Sequence, residues 1–382
     1  MKKLSFFLVL CLVAALFIDF DFGEDVLTLN VYNWGEYISD GSDGLMDVNA
    51  EFERWYEQEY GEKIKVNYKT YESNESMYTL LKSGAAEYDV VIPSEYMIGK
   101  MVQEGMLAKL NFDNIPNYAY IDQTYIDILD RPYQDSQESI TDYCVPYTWG
   151  TVGIFYNTKY VSQAEVEEQG WDILWNPDYA GKIFMFDNAR DSFMIALTKL
   201  GYSMNTTNEA EWQAAYEELA KQKPLVQGYF MDQVFQKMTN EEGWIAPYYS
   251  GDGANMITGD DGNENIQYYI PDEGTNLFVD AMCVMENSKQ KELAELYINF
   301  MCRPDVATAN AEYICYSTPH TEALHQLEDE VRDNPMFYPS EEKLKNTDVF
   351  VTLPTKINKL QKDLWIQLKC LRDRPDWWPL PN

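Results

Sequence analysis

The sequence predicts an α/β protein of two lobes, the first built on an open and mostly parallel sheet. Three observations predict it. Strand, helix, strand, helix and strand follow one another within the first hundred residues, the order expected of right-handed parallel crossovers. Asp89-Val90-Val91-Ile92-Pro93 is a continuous apolar run, as in a strand covered on both faces. The 382 residues also exceed what one core ordinarily organises.

The first strand is read from Leu27, Leu29 and Val31, which alternate with Thr28, Asn30 and Tyr32. It delivers Tyr32-Asn33-Trp34-Gly35-Glu36-Tyr37 to the carboxyl end of the sheet, where open α/β sheets bind ligands. An indole, a carboxylate and phenols packed this closely suit a cation. An ammonium has only donors and needs oxygen acceptors, and a ring face beside it adds ~0.5–2 kcal/mol. Phe52, Trp55 and Tyr56 at i, i+3 and i+4 then mark a helix, and Ile64, Val66 and Tyr68 alternate as a second strand. Met77, Leu80 and Leu81 share a helical face within Ser76–Ser83, with Ser73 as its cap. The third strand carries Ser94 and Tyr96 at its carboxyl end.

From Asp130 to Asp142 the chain turns polar and aperiodic, which fits a crossing into the second lobe, and the stretch from Val145 to Gly153 resumes a strand pattern. Ile183 to Phe186 reads as a strand, followed by a helix bearing Phe193, Ala196 and Leu197 with Asp187 as its expected N-cap. Asn208 and Glu211 resemble a capping box ahead of Trp212, Ala215, Tyr216 and Leu219. Trp244 to Asn255 is aromatic, glycine-rich and acidic. Leu277 to Met282 is a strand bearing one carboxylate, Asp280, and Leu293, Leu296, Tyr297, Phe300 and Met301 form another helix. Lys356 to Leu371 reads as a helix expected to pack across the lobes, and Trp377-Trp378-Pro379 as an irregular tail.

At the amino end, Lys2 and Lys3 precede an apolar run from Leu4 to Ile18, short for an ordinary membrane span. Residues 1–25 are therefore expected to be an export signal peptide or an N-terminal membrane anchor. No clean small-x-small cleavage site precedes Asp19, and Leu10 is a poor match to the small residue expected before a lipid-modified Cys11, so both readings stand.

The formal net charge of −34 makes nucleic acid an unsuitable partner, and it fits either plain solubility or attraction of a cationic ligand. Beyond Cys11, the five cysteines Cys144, Cys283, Cys302, Cys315 and Cys370 include no C-x-x-C, so neither a metal knuckle nor a redox motif is indicated, and an odd count leaves at least one thiol unpaired. His320 and His325 are the only histidines, and no H-E-x-x-H, nucleophile arrangement, G-x-G-x-x-G or Walker loop is present. No catalytic residue, cofactor or metal is expected. Asp260-Asp261-Gly262-Asn263-Glu264-Asn265 lacks the spaced terminal glutamate of a calcium loop and reads as a surface turn.

Several motifs taken together resemble one family. They are the segments 32–37, Thr70 to Tyr78, Tyr88 to Tyr96, Lys199-Leu200-Gly201-Tyr202-Ser203 and Arg303-Pro304-Asp305-Val306-Ala307. Over Leu27 to about Lys369 the chain is similar to the spermidine/putrescine-binding proteins of polyamine ABC transporters. The resemblance implies a two-lobe periplasmic-binding-protein fold of type II, hinge-linked, with the ligand in the interlobe cleft. It implies lobe 1 at 26–143 plus 281–320 and lobe 2 at 144–280 plus 321–382. It also implies an extracytoplasmic, non-enzymatic monomer that hands a linear polyamine to ABC permease subunits, with the membrane surface reached through the N-terminal segment if that is retained.

Carried over, it places Trp34 and Tyr37 as cleft aromatics, Glu36 and Ser94 as polar contacts and Tyr96 as a wall. Asp191 and Asp280 become ammonium-binding carboxylates, with Phe278 two residues before Asp280. Asn188 stands where spermidine binders carry Asp, Tyr249 where Trp is usual, and Phe350 near a ligand-contacting Gln. Tyr249-Ser250-Gly251-Asp252 resembles the putrescine-type segment, so Asp252 and Tyr316 join the expected site and putrescine is favoured over spermidine. A carbohydrate binder or glycoside hydrolase is the alternative, because paired carboxylates beside aromatic platforms also suit sugars.

Overall fold

The computed structural model describes residues 26–133, 139–259 and 262–371. The leader, the aromatic tail, and Asp260 and Asp261 of the acidic turn lie outside the described residues. Among the described residues no helix is long and apolar enough to cross a membrane.

The first unit is β1 (Leu27–Trp34), α1 (Val48–Tyr60), β2 (Ile64–Tyr71), α2 (Asn74–Ser83), β3 (Val90–Val91) and α3 (Glu95–Gln103). β1 pairs in parallel with β2 from Leu27↔Ile64 to Trp34↔Tyr71, and with β3 on its other side. α1 and α2 start where the sequence offers a cap, whereas Ser94 ahead of α3 makes no side-chain cap bond. Asp47 accepts from Ala50 N ahead of α1, and Ser73 from Ser76 N ahead of α2. α1 buries Val48, Phe52 and Tyr56 on one face. After α4 (Gln123–Asp130), the long strand β4 (Cys144–Asn157) is buried throughout its length.

The second unit comprises α5 (Gln163–Gln169), β5 (Ile183–Phe186), α6 (Ala189–Lys199), α7 (Glu209–Gln222), β6 (Val226–Phe230), α8 (Gln233–Thr239), β7 (Ile245–Tyr249), α9 (Gly253–Thr258) and β8 (Ile266–Tyr269). The chain returns through β9 (Thr275–Val284), then α10 (Lys291–Met301), α11 (Pro304–Ile314) and α12 (Thr321–Gln326), and ends with β10 (Thr347–Asp348) and α13 (Thr355–Cys370). The strand order is β2-β1-β3-β9-β4-β7-β5-β6, with β10 beside β9 and β8 beside β4.

The sheet is not parallel throughout. β9 runs antiparallel to both β3 and β4, and β7 antiparallel to β4. The physical reason lies in β4 and β9, which are long enough to serve both halves. Cys144–Thr151 of β4 pair with β9, whereas Val152–Asn157 pair with β7 and β8. The passage between halves is therefore made inside a strand. Leu29, Val31, Phe52, Tyr297 and Phe300 fill one core of the first half, and Met77, Val91, Ile98, Leu129 and Cys283 another. A separate core gathers Phe155, Trp171, Phe184, Phe193, Trp212 and Leu364.

Three local expectations are corrected. Asn188, not Asp187, caps α6, accepting from Arg190 N at 2.8 Å and Asp191 N at 3.4 Å, while Asp187 turns outward to Lys369. Helical periodicity cannot choose between two adjacent capping residues. Neither reciprocal bond of the capping box expected ahead of α7 forms. Asn208 accepts from Ala210 N, but the Glu211 carboxylate accepts from the Asn208 side chain rather than from its backbone. α13 does not pack across the lobes: its buried Ile357, Leu364 and Leu368 belong to the core of the second half, against α7 and α6. Lys223 fixes its end by donating to the carbonyls of Leu368, Lys369 and Leu371, a cation placed where the helix leaves its acceptors unpaired.

Candidate functional site

The carboxyl ends of β1 and β3 meet β9, which sets the site where the parallel strands open. Ser94, the residue before α3, bridges to Asp280 of β9, and Asp280 lies opposite Thr148 of β4. Tyr37 arrives from the turn after β1. Its hydroxyl donates to Asp280 Oδ2 at 2.7 Å and lies 2.6 Å from Thr148 Oγ1. Asp280 is 5% exposed, and its other oxygen, Oδ1, is buried without a hydrogen-bond partner.

Asp191 repeats the arrangement on the other half. It lies in the first turn of α6, where the helix N-terminus favours a negative charge. Its Oδ2 accepts from Asn188 Nδ2 at 2.7 Å and from the Tyr249 hydroxyl at 2.9 Å, while Oδ1 is buried and unpartnered. A buried acceptor with nothing to accept is expensive, so two such oxygens invite donors.

Between the two acids runs a line of rings. Tyr249 meets Phe278 edge-on at 5.5 Å, Phe278 meets Tyr316 at 6.0 Å, and Tyr316 meets Tyr37 at 5.4 Å. The line starts on a tyrosine that holds Asp191 and ends on one that holds Asp280. Midway, the Tyr316 hydroxyl donates to Asp252 Oδ2 at 2.8 Å, which brings a third, half-buried carboxylate to the wall.

Burial governs the acid strengths. It pushes Asp280 up to about 6, against the Ser94 and Tyr37 hydroxyls, and Asp191 up to about 6, against the Tyr249 hydroxyl and the Arg190 guanidinium. It pushes Asp252 up to about 7, aided by the charges of Asp232 and Glu36 and opposed by Tyr316.

The remaining predicted residues stand around this set. Trp34 is half-buried. Its Nε1 donates to Ile92 O at 2.9 Å and its ring leans on Tyr71 at 4.7 Å. Tyr96 donates to Glu75 Oε1 and meets Phe350 edge-on at 6.1 Å. Phe350 is buried, with the Arg190 guanidinium 4.4 Å above its ring. Asn188 spends its oxygen on the α6 cap and its nitrogen on Asp191, so it positions that carboxylate. Glu36 does not join the buried set. It is exposed in a left-handed turn at φ 51°, a conformation that non-glycine residues adopt at a cost.

The structure adds residues that sequence reasoning missed. Thr148 shares the Tyr37 hydroxyl with Asp280. Asn74, which read only as part of a capped helix start, is buried and donates to Ser94 Oγ at 3.0 Å and Tyr96 Oη at 3.2 Å. Glu95 is 1% exposed. Its Oε2 accepts from Val279 N, its Oε1 is unpartnered, and burial raises it to about 8, so it is mostly neutral at pH 7. Its sequence signal was that of an ordinary first-turn acid.

Gly150 is the ladder partner of Phe278, and a Cβ there would stand 2.6 Å from Phe278 Cζ. Gly150→Ala is therefore expected to displace the central ring of the wall, costing about 1–3 kcal/mol of stability. A thermal melt checks the loss, and a ligand titration checks the several-fold weaker binding that a displaced ring implies.

Comparison with known proteins adds the following. Residues 51–339 match the family described as bacterial extracellular solute-binding proteins. The chain is 36% identical over 349 residues to the spermidine/putrescine-binding periplasmic protein of Escherichia coli, covering 91% of this chain and 93% of that one. It is 28% identical to the putrescine-binding periplasmic protein SpuD of Pseudomonas aeruginosa, covering 90% and 92%. The crystal structure of the spermidine/putrescine ABC transporter substrate-binding protein PotD of Streptococcus pneumoniae superposes with a TM-score of 0.73 at 33% identity, covering 90% of this chain and 98% of that one.

Proposed function

The chain belongs to the bacterial extracellular solute-binding proteins, and from that footing we propose that it captures a linear polyamine outside the membrane and hands it to the permease of an ABC importer. It is a binding protein and not an enzyme, and it works outside the cytoplasm. The observation that carries the ligand reading is the matched pair Asp191 and Asp280. Each has one oxygen held by a tyrosine and one left without a partner, and an unbroken line of rings runs between them. Two ammonium groups supply the missing donors, and the methylenes between them lie against the rings. A micromolar dissociation constant needs about −8 kcal/mol, within reach of two partly desolvated charge pairs plus burial of the methylenes.

Putrescine is the favoured ligand over spermidine. The support is that Asn188 is committed to its helix cap and to Asp191 and Phe350 is apolar, so neither offers the further acceptor that spermidine's third amine calls for, and that Tyr249-Ser250-Gly251-Asp252 resembles the putrescine-type segment. The relatives' names, two for both amines and one for putrescine, fit this class. The lobes are taken as 26–143 with 281–320 and 144–280 with 321–382, hinged at β4 and β9 and closing on the ligand. A monomer is the working state, attached to the membrane surface if the N-terminal segment is retained.

Calorimetric titration of the full-length chain with putrescine and with spermidine tests the reading, and heat from neither at millimolar ligand rejects it. Native mass spectrometry with both amines at equal concentration tests the preference. Predominant putrescine occupancy is expected, and predominant spermidine occupancy would overturn the preference.

A further inference from the structure

We infer that Cys144 and Cys283 are a disulfide site that staples β4 to β9 in the oxidised protein. The two residues are direct partners in the antiparallel ladder, Cys144↔Cys283. Directly opposed residues of such a ladder project from the same face, with Cα atoms about 4.5 or 5.5 Å apart. Both values fall within the range that a disulfide spans, about 4.4–6.8 Å. The thiols are fully buried, share one core, and make only weak contacts, Cys144 Sγ with Ile140 O at 3.4 Å and Cys283 Sγ with Ala281 O at 3.6 Å. The proximity of Cys144 also helps raise the Cys283 thiol. The other described cysteines are placed elsewhere: Cys302 in a different core, Cys315 partly exposed at the end of α11, and Cys370 exposed at the end of α13.

The position gives the bond a consequence. The same two strands carry Thr148 and Asp280, and their register shifts between Pro146 and Thr148. A covalent tie beyond that irregularity fixes the ladder that presents Asp280. The family's place outside the cytoplasm is where disulfides form and persist. The step is an exchange with an oxidant of the disulfide class. One cysteine, as thiolate, attacks the oxidant and forms a mixed disulfide, releasing one oxidant thiol. The second cysteine displaces the other, so two protein thiols become one S–S bond and the oxidant is reduced to two thiols. Burial in the folded state assigns the reaction to folding, before β4 and β9 close on one another.

The inference is independent of the ligand. Refold the full-length chain in oxidised and reduced glutathione, block free thiols under denaturing conditions, digest, and map the peptides. The expected result is a Cys144–Cys283 linked peptide, with a Tm about 3–10 °C lower after reduction. Cys144→Ala should abolish that reduction-dependent shift and Cys315→Ala should keep it. Recovery of Cys144 and Cys283 as separately alkylated peptides, or either one linked to another cysteine, overturns the inference, and the map of the unsubstituted chain decides it even if a variant fails to fold.

Discussion

Asp280→Asn weakens polyamine binding by well over tenfold and leaves the Tm of the ligand-free protein nearly where it was. The binding loss follows from geometry. Asp280 Oδ1 is a buried acceptor without a partner, and removing the charge that would meet an ammonium in a poorly hydrated cleft costs on the order of 2–5 kcal/mol. The small effect on stability follows from two opposed terms. A carboxyl raised from 3.8 to about 6 by burial costs folding stability at neutral pH, on the order of 2–3 kcal/mol, and asparagine removes that cost. The amide in turn places an unpaired donor where Oδ1 stood, a penalty of about 1–3 kcal/mol, while its oxygen keeps the Tyr37 hydroxyl. Calorimetry on both proteins and thermal melts without ligand check the pair of outcomes. A fall in ligand-free Tm of many degrees with unchanged affinity would make Asp280 a structural group.

Acidification from pH 7.5 to pH 5 lowers affinity about a hundredfold. Asp191 and Asp280 are both raised to about 6, so at pH 5 each is ionised roughly one time in ten. A ligand that requires both carboxylates then finds about one molecule in a hundred ready. The sign is fixed by linkage: the bound state holds both acids ionised, so binding releases protons and weakens as pH falls through 6. The same raised values mean that the unliganded fold pays for these charges as pH climbs from about 4 to 6, a cost that ligand ammoniums offset. Dissociation constants at fixed ionic strength between pH 5 and 8 give the slope. A slope approaching two protons per unit below pH 6 is expected, and a flat profile would show that neither acid meets the ligand.

How much of this was legible in the sequence depends on the distance over which each feature is assembled. Period and caps revealed β1, α1, β2 and α2, because those signals are local. Asp280 stood out because a single carboxylate interrupts an apolar strand. Its hydrogen bond from Tyr37 did not, since the two residues are 243 positions apart and only the pairing of β9 beside β3, the neighbour of β1, brings them together. The ring line was legible as separate aromatics, but its continuity joins four distant segments. Glu95 was invisible for a different reason: a glutamate in a first helical turn ordinarily faces water, and only the arrival of β9 over α3 buries it. The direction of β9 could not be read from composition, because a strand buried on both faces has the same apolar text in either orientation.

The central claim is that the two orphan oxygens, Asp191 Oδ1 and Asp280 Oδ1, are the acceptors for the two ends of one linear diamine. A crystal structure of the full-length chain grown with putrescine tests it most directly. The expected result is one extended molecule along Tyr249, Phe278, Tyr316 and Tyr37, with a nitrogen within hydrogen-bond distance of each of those oxygens. Putrescine bound elsewhere, or bound with either oxygen still unpartnered, would contradict it.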